Sequence, residues 1–208
     1  VAPRSRYAIG LRLGERAARE LCDPVEGHLN LFRSWLEQHD CYVFTINGFP
    51  YGNFHGERVK EQVYLPDWTS GDRLEYTKCL FDIIAELVPD GISGSVSTLP
   101  GSFKEFITDE RGQAATIIDN LASCCQYIQK LADKTGKDLH LGLEPEPLGW
   151  FETSEETVAF FDRFRHCHGD RFDRVLGVNY DTCHLAVEYE APSDAVGNLL
   201  NAGIRLSK

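Results

Sequence analysis

Short apolar or alternating runs recur along the chain at residues 7–13, 41–47, 92–98, 139–144, 174–181 and 204–208, and each predicts a β-strand. Between them the apolar spacing changes from two to three or four. Residues 24–39 place Leu29, Phe32, Trp35 and Leu36 on one helical face, and residues 72–87 do the same with Leu74, Leu80, Phe81, Ile84 and Leu87. Two further helices are expected at 111–134 and 155–166. The second of these carries a capping-box pattern, Thr153 with Glu156 three residues on, ahead of Val158, Phe160, Phe161 and Phe164. Strand–helix–strand alternation predicts an α/β protein with a parallel sheet.

Side-chain parity within the strands separates an open sheet from a closed barrel. Leu139, Leu141 and Leu143 share one side of their strand, and His140, Gly142 and Glu144 share the other. The next strand repeats the division, with Leu176, Val178 and Tyr180 against Gly177, Asn179 and Asp181. Ser93, Ser95 and Ser97 continue the small or polar side, as do Thr45 and Asn47 in the run Cys41, Val43, Thr45, Asn47. An open sheet covered by helices on both faces would instead show near-continuous apolar strands. A side that stays small or polar fits the interior of a tight barrel, so the prediction is a (β/α)8 TIM barrel. That fold puts Asn47, Glu144 and Asp181 at C-terminal strand ends, where the reactive groups of such barrels lie.

Size and composition refine this picture. The chain has 208 residues, 42% hydrophobic and 25% charged, which fits one globular domain over residues 1–208. A complete barrel takes about 250 residues, and residues 203–208 read as the start of a strand, so a partial barrel with β/α units missing at each end is expected. A formal charge of −11 argues against a nucleic-acid surface, which needs clustered Lys and Arg. No stretch approaches the ~18 apolar residues of a membrane span, so no membrane insertion is expected. Seven cysteines without a Cys-x-x-Cys pair fit neither a disulfide framework nor a zinc ribbon, and they point to a reducing cytoplasmic setting.

The strongest chemical signal is Asp181-Thr182-Cys183-His184, which closes a strand. Three-residue spacing lets the carboxylate and the imidazole converge on one ion, and Glu144 ends the preceding strand with the same parity. Two carboxylates and an imidazole suit a divalent metal: Mn²⁺, Mg²⁺, Co²⁺ or Zn²⁺. The competing reading is that Asp181 and Glu144 only cap helices or pair with Arg. Residues 48–71 form a long Gly- and aromatic-rich connection after a barrel strand, where substrate-covering loops lie. Phe49, Tyr51, Phe54, Tyr64 and Trp68 either wall a pocket there or anchor the loop to the rim, while His55 and Lys60 offer polar contacts. Glu146, on the stiffened turn Glu144-Pro145-Glu146-Pro147, and Trp150 are further candidates for substrate contact. Leu99-Pro100-Gly101 reads as a strand-to-helix turn.

At Glu144 and Asp181-Thr182-Cys183-His184 the chain resembles the xylose isomerase-like barrel superfamily of sugar isomerases, ketose epimerases and endonuclease IV-type nucleases. The resemblance implies metal ligation by Glu144 and Asp181, with His184 as a ligand or substrate contact. Over most of the chain, the segments Tyr42 to Gly52, Phe54-His55-Gly56, Val59-Lys60-Glu61 and Ser97 to Gly101 resemble the EboE family of bacterial metabolite-traffic proteins. This second resemblance implies a role in processing or export of a small metabolite.

The leading functional expectation is a metal-dependent isomerase or epimerase acting on a sugar, polyol or related small polyhydroxy metabolite. Glu144 serves there as ligand and base, Asp181 as ligand and His184 as ligand or hydroxyl contact, while Asn47 and His55 orient the substrate. A metabolite carrier without turnover is the alternative from another class. An endonuclease IV-like phosphodiesterase fits less well, because it needs many His ligands and a surface that tolerates DNA.

Overall fold

The computed structural model describes residues 5–52 and 61–208. Six strands, β1 (Tyr7–Arg12), β2 (Cys41–Asn47), β3 (Gly94–Thr98), β4 (Leu139–Leu143), β5 (Leu176–Val178) and β6 (Arg205–Leu206), pair in parallel in sequential order. A doubly wound sheet reverses its strand order part-way. Here each strand is added beside the one before, so right-handed crossovers put the connecting helices on one face and leave the other as a barrel interior. The expected (β/α) barrel architecture is therefore the one observed.

The helices are α1 (Glu15–Cys22), α2 (His28–Gln38), α3 (Gly71–Leu87), α4 (Glu110–Thr135), α5 (Ser154–His168), α6 (Thr182–Val187) and α7 (Pro192–Asn201). Side-chain caps start several of them: Ser70 Oγ accepts from Asp72 N at 3.1 Å, and Asp109 Oδ1 from Gly112 N at 3.1 Å. Thr153 Oγ1 accepts from Glu156 N at 3.2 Å, but the Glu156 carboxylate takes the amide of Glu152 instead of that of Thr153. The box is thus shared across two residues. Helices α1, α6 and α7 are additions to the pattern expected from sequence.

Strand parity behaves as the residue pattern implies. Leu139, Leu141 and Leu143 are buried against the helix layer, where Ile117, Leu121 and Ile128 of α4 are also buried. At roughly 1.5–3 kcal/mol for each large apolar side chain, this layer is the main source of stability. On the inward face, Asn47, Ser97, Gly142, Gly177 and Arg205 form one row across five strands. Glycine is required within it: a Cβ on Gly177 would strike the Arg205 carbonyl, and one on Gly142 would lie 2.9 Å from Ser207 Oγ. In the row towards the N-terminal ends, Ser95 Oγ donates to Thr45 Oγ1 at 2.8 Å.

The sulfurs of Cys22 on α1 and Cys79 on α3 are paired as a disulfide, which corrects the reading of the cysteines as free thiols in a reducing setting: the packing of α1 on α3 brings together two residues 57 apart in the chain. Cys124 and Cys125 are the buried apolar thiols expected, while Cys167 and Cys183 are exposed. Among the described residues no helix is long and apolar enough to cross a membrane.

Candidate metal centre

The C-terminal ends of β4 and β5 bring their acidic residues to one place. Glu144 follows β4, fixed by its amide donating to the Thr98 carbonyl at 2.9 Å, and Asn179 follows β5, its amide donating to Leu143 O at 2.8 Å. Two residues on, Asp181 caps α6, with Oδ1 accepting from Cys183 N at 2.7 Å and His184 N at 3.4 Å. That cap turns the chain so that His184 faces back over β4. One ligand atom each from Glu144, Asp181 and His184 lies within 4.8 Å of the others.

Each carboxylate in this group has one oxygen committed and one turned to the imidazole. Asn179 Nδ2 donates to Glu144 Oε2 at 2.6 Å, and Glu144 Oε1 stands 3.9 Å from His184 Nδ1. Asp181 Oδ1 is engaged in the cap, and Oδ2 stands 4.0 Å from His184 Nε2. These separations are too long for hydrogen bonds. Three equally spaced donors at ~2.0–2.2 Å from one ion lie at most ~3.8 Å apart. The group must therefore draw in by up to about 1 Å to hold a small divalent cation, and its oxygen and nitrogen donors match that chemistry. Asp181 bears out the capping reading through Oδ1, and its Oδ2 lies outside that cap on the His184 side.

Glu146 extends the cluster, with Oε2 at 3.9 Å from His184 Nε2 and Oε1 buried without a hydrogen-bond partner among the described residues. Burial pushes its carboxyl up to about 7, against the pull of the Tyr64 hydroxyl and His184. Burial also raises the Glu144 carboxyl, opposed by Asn179, His184 and Lys208. The Tyr64 phenol is pushed far above its ordinary range, first by burial and then by Glu146. Tyr64 was legible as an aromatic of the long connection, but its hydroxyl contact was not.

The other residues singled out from sequence fall in several places. Asn47 ends β2 with a turn, its Oδ1 accepting from Phe49 N at 3.0 Å. Trp150 packs edge-on to Phe160, with ring centroids 5.8 Å apart, and covers Gly101, whose φ of +83° admits the turn after β3. His55 and Lys60 lie outside the described residues. Trp68 and Tyr64 are buried, so they anchor the connection instead of facing an open pocket. Trp68 Nε1 donates to Thr98 Oγ1 at 3.2 Å, and Tyr64 packs between Phe49 and Phe103.

Arg73 of α3, unremarked in the sequence, holds the base of the same connection. Its side chain is buried and donates to the carbonyls of Pro66, Gly48 and Phe49 at 2.7, 2.8 and 3.0 Å. Burial lowers the guanidinium to about 10, and the rings of Tyr51 and Tyr76 flank it. A helical residue with this many carbonyl partners 24 and 25 positions upstream leaves no local sequence signature.

No known family model matches this chain, and no curated protein matches it. Solved structures do share its fold. D-psicose 3-epimerase in the presence of D-fructose aligns with a TM-score of 0.60 at 15% identity, over 92% of this chain and 58% of that one. A xylose isomerase-like TIM barrel protein from Mycobacterium smegmatis in complex with magnesium gives 0.58 at 15%, over 89% and 61%. An AP endonuclease, family 2, from Brucella melitensis gives 0.57 at 14%, over 95% and 76%. The fold is that of the xylose isomerase-like TIM barrels, and the chain spans about three fifths of the length of the first two. At such identities the likeness defines a fold that hosts more than one chemistry.

Proposed function

We propose that this chain carries the metal site of an isomerase or epimerase acting on a sugar, polyol or related hydroxycarbonyl metabolite, in a metabolite-traffic role of the EboE type. The observation that carries the reading is the convergence of Glu144, Asp181 and His184 within 4.8 Å, at strand ends of a barrel that is shared with a sugar epimerase and with a magnesium-bound protein. A phosphodiesterase with clustered zinc calls for several imidazoles, and among the described residues this group has one.

A divalent ion such as Mn²⁺, Mg²⁺, Co²⁺ or Zn²⁺ would stabilise negative charge on adjacent carbonyl and hydroxyl oxygens. Glu144 would hold it through Oε1, Asp181 through Oδ2, and His184 through a ring nitrogen. Glu144, whose carboxylate is kept in place by Asn179 at 2.6 Å, is the proposed base for the proton beside the carbonyl. Beside such an ion Glu146 would be drawn back towards the ionised form and would accept from substrate hydroxyls, with the Tyr64 hydroxyl as its neighbour. His184 also meets a hydroxyl, and Asn47, His55, Lys60 and Trp150 complete the proposed substrate contacts.

Metal content of protein purified without chelator, set beside Glu144→Gln and Asp181→Asn, tests the reading. Near-stoichiometric metal that both variants lose, together with solvent deuterium appearing beside the carbonyl of a ketose, is the expected result. A parent protein that takes up no metal at about millimolar concentration overturns it and leaves a metal-free carrier.

A further inference from the structure

Glu144 and Asn179 stand beside each other just past the paired ends of β4 and β5, in register through Leu143 and Val178. Both are buried, each 7% exposed, and they share a 2.6 Å hydrogen bond from Asn179 Nδ2 to Glu144 Oε2. A buried amide that short from a carboxylate fixes which way the carboxylate faces. Oε2 is turned to β5, and Oε1 is the oxygen on the His184 side, 3.9 Å from Nδ1. Asp181 shows the same division, with its Oδ1 tied into the α6 cap. Each acid therefore offers one oxygen to an ion, not two.

The number of oxygens offered matters for the choice of metal. Calcium takes six to eight oxygens at ~2.3–2.6 Å and readily uses carboxylates through both oxygens, whereas magnesium and its smaller relatives want a compact set near ~2.0–2.1 Å. A carboxylate with one oxygen locked suits the compact set and handicaps the larger ion. We propose that Asn179 is a specificity-determining positioning residue: by holding Glu144 Oε2 it makes Glu144 a single-oxygen ligand and biases the site towards small divalent cations and against Ca²⁺. The inference rests on the metal-centre reading above and adds to it a residue that touches no metal.

Calorimetric titration with Mn²⁺ and with Ca²⁺, on the unaltered protein, Asn179→Ala and the near-isosteric Asn179→Leu, separates the possibilities. Loss of such an orienting partner weakens metal binding by about 10- to 100-fold. The expected result is a Mn²⁺ affinity lower by that factor in both variants with Ca²⁺ affinity held or raised, so that the Mn²⁺ to Ca²⁺ preference falls by about tenfold or more. Equal weakening of both ions, or no change in either, means that Asn179 only satisfies a buried acid, and the proposal fails while the metal-centre reading stands. If the unaltered protein binds neither ion, the metal-centre reading fails and this proposal with it. Infrared spectra of the unaltered protein add a readout that no folding defect in a variant can obscure. Binding of Mn²⁺ is expected to widen the separation of the carboxylate stretching bands, as single-oxygen coordination does, and a narrowed separation overturns the proposal.

Discussion

His140 offers the sharpest test of how the barrel interior is held together, and it lies at the end of β4 away from the metal centre. The imidazole is buried, 3% exposed, between two hydroxyls, with Nε2 2.6 Å from Ser93 Oγ and Nδ1 2.5 Å from Ser207 Oγ. Ser93 donates its proton to Asp138 Oδ2 at 2.9 Å, so it accepts from Nε2–H, and Nδ1 is left to accept from Ser207. The ring is satisfied as the neutral form. Burial, helped by the nearby Arg205 guanidinium and opposed by Asp138, lowers its pKa from the ordinary 6.5 to about 4. The unfolded chain therefore takes up the proton first as pH falls. The stability contributed by the neutral ring is complete above pH 6.5 and is lost between there and pH 4. A difference of about 2.5 pH units at ~1.36 kcal/mol each is worth about 3 kcal/mol, of which about 2.5 kcal/mol is gone by about pH 4.5. The raw acid profile would mislead, because Glu146, with its carboxyl raised to about 7, contributes with the opposite sign in the same window. Denaturant midpoints should therefore be measured from about pH 7.5 to about pH 4.5 for the parent and for His140→Asn, and subtracted. The advantage of the parent over the variant should shrink by about 2.5 kcal/mol across that range. A difference that stays constant within about 0.5 kcal/mol would refute the assignment of a buried neutral imidazole.

Other perturbations follow from the same contacts. Arg73→Met strands three backbone carbonyls in the buried base of the β2–α3 connection and should cost about 3–5 kcal/mol in urea unfolding, with Arg73→Lys recovering only part of it. Glu144→Gln removes a carboxyl that burial already disfavours as an anion, so the melting temperature without metal should stay level or rise while the increment on adding Mn²⁺ disappears. Gly101→Ala must place a Cβ at φ +83° against the Trp150 ring, and a thermal melt should report a loss of about 1–3 kcal/mol.

How far the sequence could be read depended on whether the governing partner was near in the chain. Strand parity was legible because alternation is local: His140, Gly142 and Glu144 against three leucines already implies an inward and an outward face. The Asp181 to His184 spacing was legible for the same reason, since both the α6 cap and the approach of His184 to Asp181 follow from it. Helix α1 escaped because it is only eight residues long, its N-cap Gly14 offers no capping side chain, and it buries only Ala18. Helix α7 had one usable sign, Pro192 at its first turn. Asn179 was visible as an inward residue, but its partner Glu144 is 35 positions away, and the Tyr64 contact to Glu146 is equally distant in kind. The disulfide between Cys22 and Cys79 joins residues 57 apart, beyond what spacing can suggest.

The two ends of the barrel interior use the same residue types for opposite purposes. At the N-terminal ends, Arg205 pairs with Asp138 at 2.6 and 3.0 Å, and Ser93, His140 and Ser207 close the remaining donors and acceptors, so the network is satisfied within itself. At the C-terminal ends the nearby cations are mostly engaged elsewhere: Arg73 donates through Nε and Nη1 to backbone carbonyls, with Nη2 buried and unpartnered among the described residues, Lys104 is tied to Glu152 and Glu156 at the rim, and Lys208 only tempers the raised Glu144 carboxyl. Glu144, Glu146 and Asp181 are thereby left around a single imidazole at 3.9–4.0 Å, too far to hydrogen-bond, and the charges of Glu144 and Asp181 help to raise the Glu146 carboxyl. Glu144 and Glu146 are largely shielded from water, and carboxylates so placed are expensive unless paired. An arrangement that supplies Arg–Asp pairing at one end and withholds it at the other has its missing positive charge where a cation is proposed to sit, which is the physical reason for reading the upper cluster as a site and the lower one as structure.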